Sequence, residues 1–149
     1  MSLNIVFMGT PEFSVPTLHT LIKNKFNVFK AYTQLPKKSK RGQKVNPSPI
    51  EEFCKKNKIS FSNPPNLNSE EELKIFKQLS PDIVVVVAYG QIIPKSFFDI
   101  VKLGFINIHA SLLPKWRGAA PIQRAIMNGD KKIGVSIMKI KEKLDSGPV

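Results

Sequence analysis

Three polar residues of this chain have types and spacing suited to acyl transfer. Asn107 and His109 lie two positions apart at the end of Gly104 to His109, a run that reads as a strand. Residues two apart in a strand project from the same face. The amide and the imidazole therefore leave the sheet together, while Ile108 enters the opposite packing layer. An amide donor can stabilise an oxyanion as it develops. An imidazole can take a proton from an attacking amine or, once protonated, hold the tetrahedral species. Asp145 follows the last apolar stretch, in Lys143-Leu144-Asp145-Ser146-Gly147. A carboxylate brought beside His109 would fix the imidazole tautomer and could hold a water for proton shuttling. The plainer readings are a hydrogen-bonded histidine near the surface and an Asp in a turn before Gly.

The elements that must position these groups alternate between apolar β-rich runs and helical patterns, the mark of a parallel α/β sheet. Leu3 to Met8, Phe26 to Thr33, Ile59 to Phe61, Asp82 to Ala88, Gly104 to His109 and Ile133 to Ile140 read as strands. The Val-rich run from Asp82 to Ala88 has the continuous apolar character of a strand buried on both faces. In the last strand, Ile133, Val135 and Ile137 share one face. Helices are predicted over Ser14 to Lys25, from Pro49, from Glu70 to a stop before Pro81, over Pro94 to Val101 and over Pro121 to Asn128. Two of them open on capping boxes, Ser48-Pro49-Ile50-Glu51 and Ser69-Glu70-Glu71-Glu72. Gln34 to Asn46 has no apolar periodicity and reads as a loop. The order implies a Rossmann-like, doubly wound, mostly parallel α/β sheet in a single domain, with ligands beyond the carboxyl ends of the strands.

Composition narrows the classes further. The 149 residues are 42% hydrophobic and 23% charged, an ordinary globular mix. Lys and Arg number 23 against 11 for Asp and Glu, a net charge of +12. Such a balance favours acidic partners, nucleic acid among them, although a lysine-rich surface alone produces it too. The single cysteine, Cys54, has no partner for an internal disulfide and no ligand spacing for zinc. No run approaches the roughly 18 apolar residues of a membrane span. The expected setting is cytoplasmic, with no metal. The turn Met8-Gly9-Thr10-Pro11-Glu12-Phe13 is neither G-x-G-x-x-G nor a Walker loop, which disfavours a nicotinamide enzyme despite the topology.

The stretch Asn107 to Gln123, with Ser111-Leu112-Leu113-Pro114 and Trp116-Arg117-Gly118-Ala119-Ala120-Pro121-Ile122-Gln123, resembles the methionyl-tRNA formyltransferases. So do Phe7 to Phe13, Tyr32-Thr33-Gln34, Arg41-Gly42-Gln43-Lys44 with Pro47-Ser48-Pro49, Val86 to Gly90, and Leu144-Asp145-Ser146-Gly147. The resemblance spans essentially the whole chain. It implies formyl transfer from 10-formyltetrahydrofolate to the α-amino group of a methionyl initiator tRNA, with Asn107, His109 and Asp145 in the catalytic positions. It implies a folate pocket at Val87, Ala88, Tyr89, Gly90 and Ile92, walled by Ser111, Leu112, Leu113 and Pro114 and closed by Ile140 and Leu144. It implies that the loop bearing Lys37, Lys38, Lys40, Arg41 and Lys44 meets tRNA. Here Leu35 to Lys40 departs from the family's usual lead-in, so the loop's shape is open while its charge is not. The family also implies more of this domain and a small tRNA-gripping β-barrel beyond Val149. The chain is thus expected to be an incomplete domain with reduced or absent activity, and the full-length enzyme a monomer. Two other readings stand beside this one. Glycinamide ribonucleotide formyltransferases share Asn-x-His, Ser-Leu-Leu-Pro and Leu-Asp-x-Gly, and a non-catalytic RNA-binding module would need only the charge.

Overall fold

An apolar run covered on both faces belongs at the centre of a sheet, and Ile83 to Val87 lies there. A computed structural model describes residues 3–38, 45–142 and 145–149. In chain order the elements are β1 (Asn4–Gly9), α1 (Val15–Lys23, entered through a 3-10 turn at Glu12–Ser14), β2 (Asn27–Tyr32), β3 (Lys37–Lys38), β4 (Val45–Asn46), α2 (Pro49–Asn57), β5 (Phe61–Ser62), α3 (Glu70–Leu79), β6 (Ile83–Val87), α4 (Lys95–Phe98), β7 (Phe105–His109), α5 (Pro121–Met127) and β8 (Ser136–Lys139). Six strands form one sheet in the order β5-β2-β1-β6-β7-β8. Neighbours run parallel except β8, which is antiparallel to β7. Strand order reverses between β1 and β6, which makes their carboxyl ends the switch point of a doubly wound fold. The predicted fold class is borne out.

Two apolar layers follow from the period-two alternation. Val84, Val86 and Phe105 face a layer with Phe76 of α3 and Phe97 of α4. Val85 and Val87 face the other layer, with Leu18 of α1 and Ile50 and Cys54 of α2, and Ile106 and Ile108 pack against its margin. Asn107 and His109 share the face of Phe105, toward the α3–α4 layer. Both predicted capping boxes form: the Ser48 hydroxyl accepts from the Glu51 N–H at 3.0 Å and Ser69 from Glu72 at 3.1 Å.

Three expectations need correction. The segment from Gln34 to Asn46 is not all loop. Lys37 and Lys38 pair antiparallel with Asn46 and Val45 in a two-residue ribbon, too short and too polar to show alternation. The helix predicted over Pro94 to Val101 closes after one turn, at Phe98. The strand predicted over Ile133 to Ile140 is shorter: β8 spans Ser136–Lys139, and Ile133 and Val135 precede it. Ile133, Val135 and Ile137 are 60%, 52% and 60% exposed, whereas Ser136 and Met138 are buried. Alternation identifies residues that share a face, not which face is covered. Ser136 and Met138 lie opposite His109 and Asn107, so they inherit the covered side of β7.

Candidate active site

His109 is the last residue of β7 and is buried. Its Nε2 lies 2.9 Å from the backbone carbonyl oxygen of Trp116. A carbonyl only accepts, so Nε2 carries the hydrogen. The other nitrogen, Nδ1, faces Asp145 Oδ2 at 3.8 Å, too far for a direct hydrogen bond. That same Oδ2 accepts the Gly118 N–H at 2.7 Å. Asp145 is therefore anchored by its own bond, and its charge looks at the nitrogen His109 leaves open. The His109 and Asp145 side chains are 8% and 10% exposed. In so dry a setting a charge interaction is screened far less than in water. Asn107 pairs with Val86 on one side and Met138 on the other, and is half-buried. His109 and Asp145 thus meet at the end of β7, and Asn107 shares the face of His109 two residues earlier in the strand.

The backbone around these groups is unusually bent. Ala88, Trp116, Ala120 and Asp145 all have positive φ, between 45° and 57°. L-residues with a Cβ adopt this region at a cost, and such residues concentrate at functional sites. Asp145 reaches the site because the chain after it folds back on β8. The Lys139 N–H donates to the Pro148 carbonyl at 2.9 Å. Gly147 lies so close that a Cβ there would land on the Lys139 carbonyl oxygen.

The residues expected to hold a folate fall into two groups. Ala88, Gly90, Ile92, Leu112 and Pro114 are exposed, with Ile92 at 88% and Leu112 at 50%, and Leu113 is half-buried. These present a surface. Val87, Tyr89 and Ser111 are buried beneath it. The Val87 carbonyl accepts the Ser14 hydroxyl at 2.6 Å and the Tyr89 carbonyl the Thr10 hydroxyl at 2.7 Å, so both are already engaged. Ser111 Oγ donates to the Lys115 carbonyl at 2.6 Å. Ile140 donates its N–H to Phe105 at 2.8 Å and extends the β7–β8 pairing. Leu144 lies outside the described residues. The wall Ser111 to Pro114 is itself held by Ser136, whose hydroxyl donates to the Ser111 carbonyl at 2.7 Å and accepts the Leu113 N–H at 3.0 Å.

Gly9, placed in a turn by the sequence, is a packing glycine. A Cβ there would stand 2.9 Å from Ser14 Cβ and 3.0 Å from the Val87 oxygen. Thr10, given no role of its own by the sequence, ties three strand ends together: its hydroxyl donates to the Tyr89 carbonyl and accepts the Gln34 N–H at 3.3 Å. Beside it a cavity of about 190 Å³ is lined by Thr10, Gln34, Leu35, Lys37 and the chain from Asn46 to Pro49. The basic ribbon therefore borders the switch point. Lys37 is exposed there. Lys40, Arg41 and Lys44, and the Lys38 side chain, lie outside the described residues. Burial and the nearby Glu51 push the Cys54 thiol up to about 11, so it is no nucleophile near neutral pH. Among the described residues there is no cluster of His, Cys, Asp and Glu fit for a metal, and no helix long and apolar enough to cross a membrane.

A sequence model of the family described as "Formyl transferase" matches residues 3–149. The chain belongs to the formyl transferase family. Among curated relatives, the methionyl-tRNA formyltransferase of Pelagibacter ubique is 58% identical over 150 residues, covering 100% of this chain and 48% of that one. The methionyl-tRNA formyltransferase of Coxiella burnetii is 50% identical over 149 residues with the same coverage. The chain thus spans about half the length of the curated relatives it matches. A solved phosphoribosylglycinamide formyltransferase from Bacillus halodurans superposes with a TM-score of 0.75 at 22% identity, over 97% of this chain and 75% of that one. At that identity the likeness extends to the formyl transferase fold and no further.

Proposed function

We propose that this chain carries the catalytic centre of an enzyme that moves a formyl group from 10-formyltetrahydrofolate to the α-amino group of methionyl initiator tRNA. The observation that supports it most directly is the meeting of His109 and Asp145 at the end of β7, with Asn107 on the face of His109, in a chain 58% identical to a relative that bears that name. The neutral amine attacks the formyl carbon; a C–N bond forms and the carbonyl electron pair moves onto oxygen. The Asn107 amide, which bonds to no described residue, donates to that oxyanion. His109 Nδ1, the nitrogen without a hydrogen, takes the amine's proton directly or through a water held by Asp145. The imidazolium so formed lies between two acceptors, the Trp116 carbonyl and the Asp145 carboxylate. Collapse of the tetrahedral species breaks the bond to the folate nitrogen, which leaves with that proton. The exposed surface of Ala88, Gly90, Ile92, Leu112 and Pro114 offers the donor backbone groups and apolar contacts. The reaction asks for no metal.

The basic segment from Lys37 to Lys44 supplies the contact to tRNA in this reading. Phosphate contacts make an affinity salt-dependent, with about one unit of log–log slope for each contact. Reversing the charge at Lys37, Lys38 and Arg41 together is expected to reduce the salt slope of tRNA binding by two to three units. An unchanged slope in filter binding returns the segment to an ordinary solvated surface. The substrate itself is tested by supplying the formyl donor with methionyl-tRNA or with glycinamide ribonucleotide. Both this chain and one extended to the length of its relatives are assayed. Turnover with tRNA alone is expected of the extended chain, and the remainder of the domain and a tRNA-gripping barrel belong to the extension. Turnover with the ribonucleotide alone would sink the reading.

A further inference from the structure

Asp130 lies just after α5, far in sequence from β7, yet its carboxylate reaches back to the loop over His109. Oδ2 accepts the Trp116 Nε1–H at 2.6 Å. Oδ1 accepts from Lys115 Nζ at 2.7 Å and from Asn128 Nδ2 at 2.7 Å. Its side chain is 6% exposed. The bonds from Lys115, Trp116 and Asn128 hold its carboxyl down at about 2, so it is ionised at any working pH. A nearly covered carboxylate with three donors on it is a costly feature to build as surface decoration.

Its principal partner explains it. Trp116 has φ of 57°, a conformation that a bulky residue keeps only when its surroundings impose it. Its ring is fixed at the edge by Asp130. Cations lie over it, Lys115 Nζ at 5.5 Å and the Arg124 guanidinium at 5.3 Å from the centroid. The backbone so held presents the carbonyl that His109 Nε2 bonds. We infer that Asp130 is a positioning residue for His109: by gripping the Trp116 indole it sets the carbonyl that selects the Nε2–H tautomer and turns Nδ1 toward Asp145. The inference rests on the reading of His109 as the proton acceptor, but its test does not.

The chain has only two histidines, His19 and His109, and His19 is exposed on α1. Long-range ¹H–¹⁵N spectra at about pH 8.5, where free imidazoles are neutral, report each tautomer separately. A His19→Gln variant assigns the signals. In the unaltered chain His109 is expected to show one tautomer, hydrogen on Nε2, with slow exchange. In Asp130→Ala its nitrogen shifts should move toward the average of a tautomer mixture, while His19 stays fixed. Trp116→Phe removes the indole N–H and keeps a ring, and should move His109 in the same direction. Where Asp130→Ala fails to fold, that variant decides. An unchanged Nε2–H tautomer in the folded variants overturns the inference. In a chain that turns over, Asp130→Ala should lower kcat about tenfold or more with little change in KM. A displaced tautomer in an extended chain that formylates nothing would leave the inference standing and remove the proposed function instead.

Discussion

Replacing His109 with alanine is expected to lower kcat for formyl transfer by about 10²–10⁴, the usual contribution of a positioned acid–base group. KM should barely move, because the ring is buried under Trp116 rather than on the exposed wall. Asp145→Asn is the companion variant. Its side-chain oxygen still accepts the Gly118 N–H, so the loop stays anchored, but the charge facing Nδ1 is gone. It should lose activity without losing thermal stability. Steady-state rates and melting curves on both variants separate chemistry from folding. If both turn over like the parent, proton transfer does not run through this pair.

The second large effect is expected from the smallest side chain that can be added. A methyl at Gly147 would occupy the position of the Lys139 carbonyl oxygen, which is backbone and cannot rotate away. The turn carrying Asp145 must then lift from β8, and the carboxylate moves with it. Gly147→Ala should cost about 1–3 kcal/mol, as overpacking does, and reduce kcat about a hundredfold through the displaced carboxylate. Gly129→Ala provides the contrast. A Cβ there meets nothing within 4 Å, so only the left-handed backbone, φ 68°, resists it. That variant should lose about 1–2 kcal/mol and keep its turnover. Normal activity in Gly147→Ala would show that this close approach does not hold Asp145 in place.

The reach of sequence reasoning here follows the range of the interactions. Capping boxes act over three residues, and both Ser48 and Ser69 form the bonds their spacing implies. The Val-rich centre of the sheet is equally local, since a two-sided strand announces itself in five residues. Asn107 and His109 share a face by pleat alone. What sequence could not show is made by single long-range bonds with no periodic signature. The Trp116 carbonyl that fixes the His109 tautomer comes from a residue named only within a stretch read for resemblance. The Gly118 N–H that anchors Asp145 lies in a stretch read for resemblance. Asp130 and Ser136 look like a turn residue and a strand residue, and only the fold reveals that they clamp the loop between β7 and α5. Which face of β8 is covered was not legible for a related reason: alternation has no sign until a neighbour covers one side.

That open face of β8 sets how the molecule behaves at high concentration. There Ile137, with Ile133 and Val135 just before the strand, leaves a row of exposed apolar side chains on which another copy can associate. Opposing it is the net charge of +12, which keeps copies apart at long range. Added salt shortens that repulsion to about 10 Å at 0.1 M and leaves the apolar row untouched. Colloidal stability in this protein is thus a contest between charge spread over the surface and an exposed apolar row, and salt favours the row.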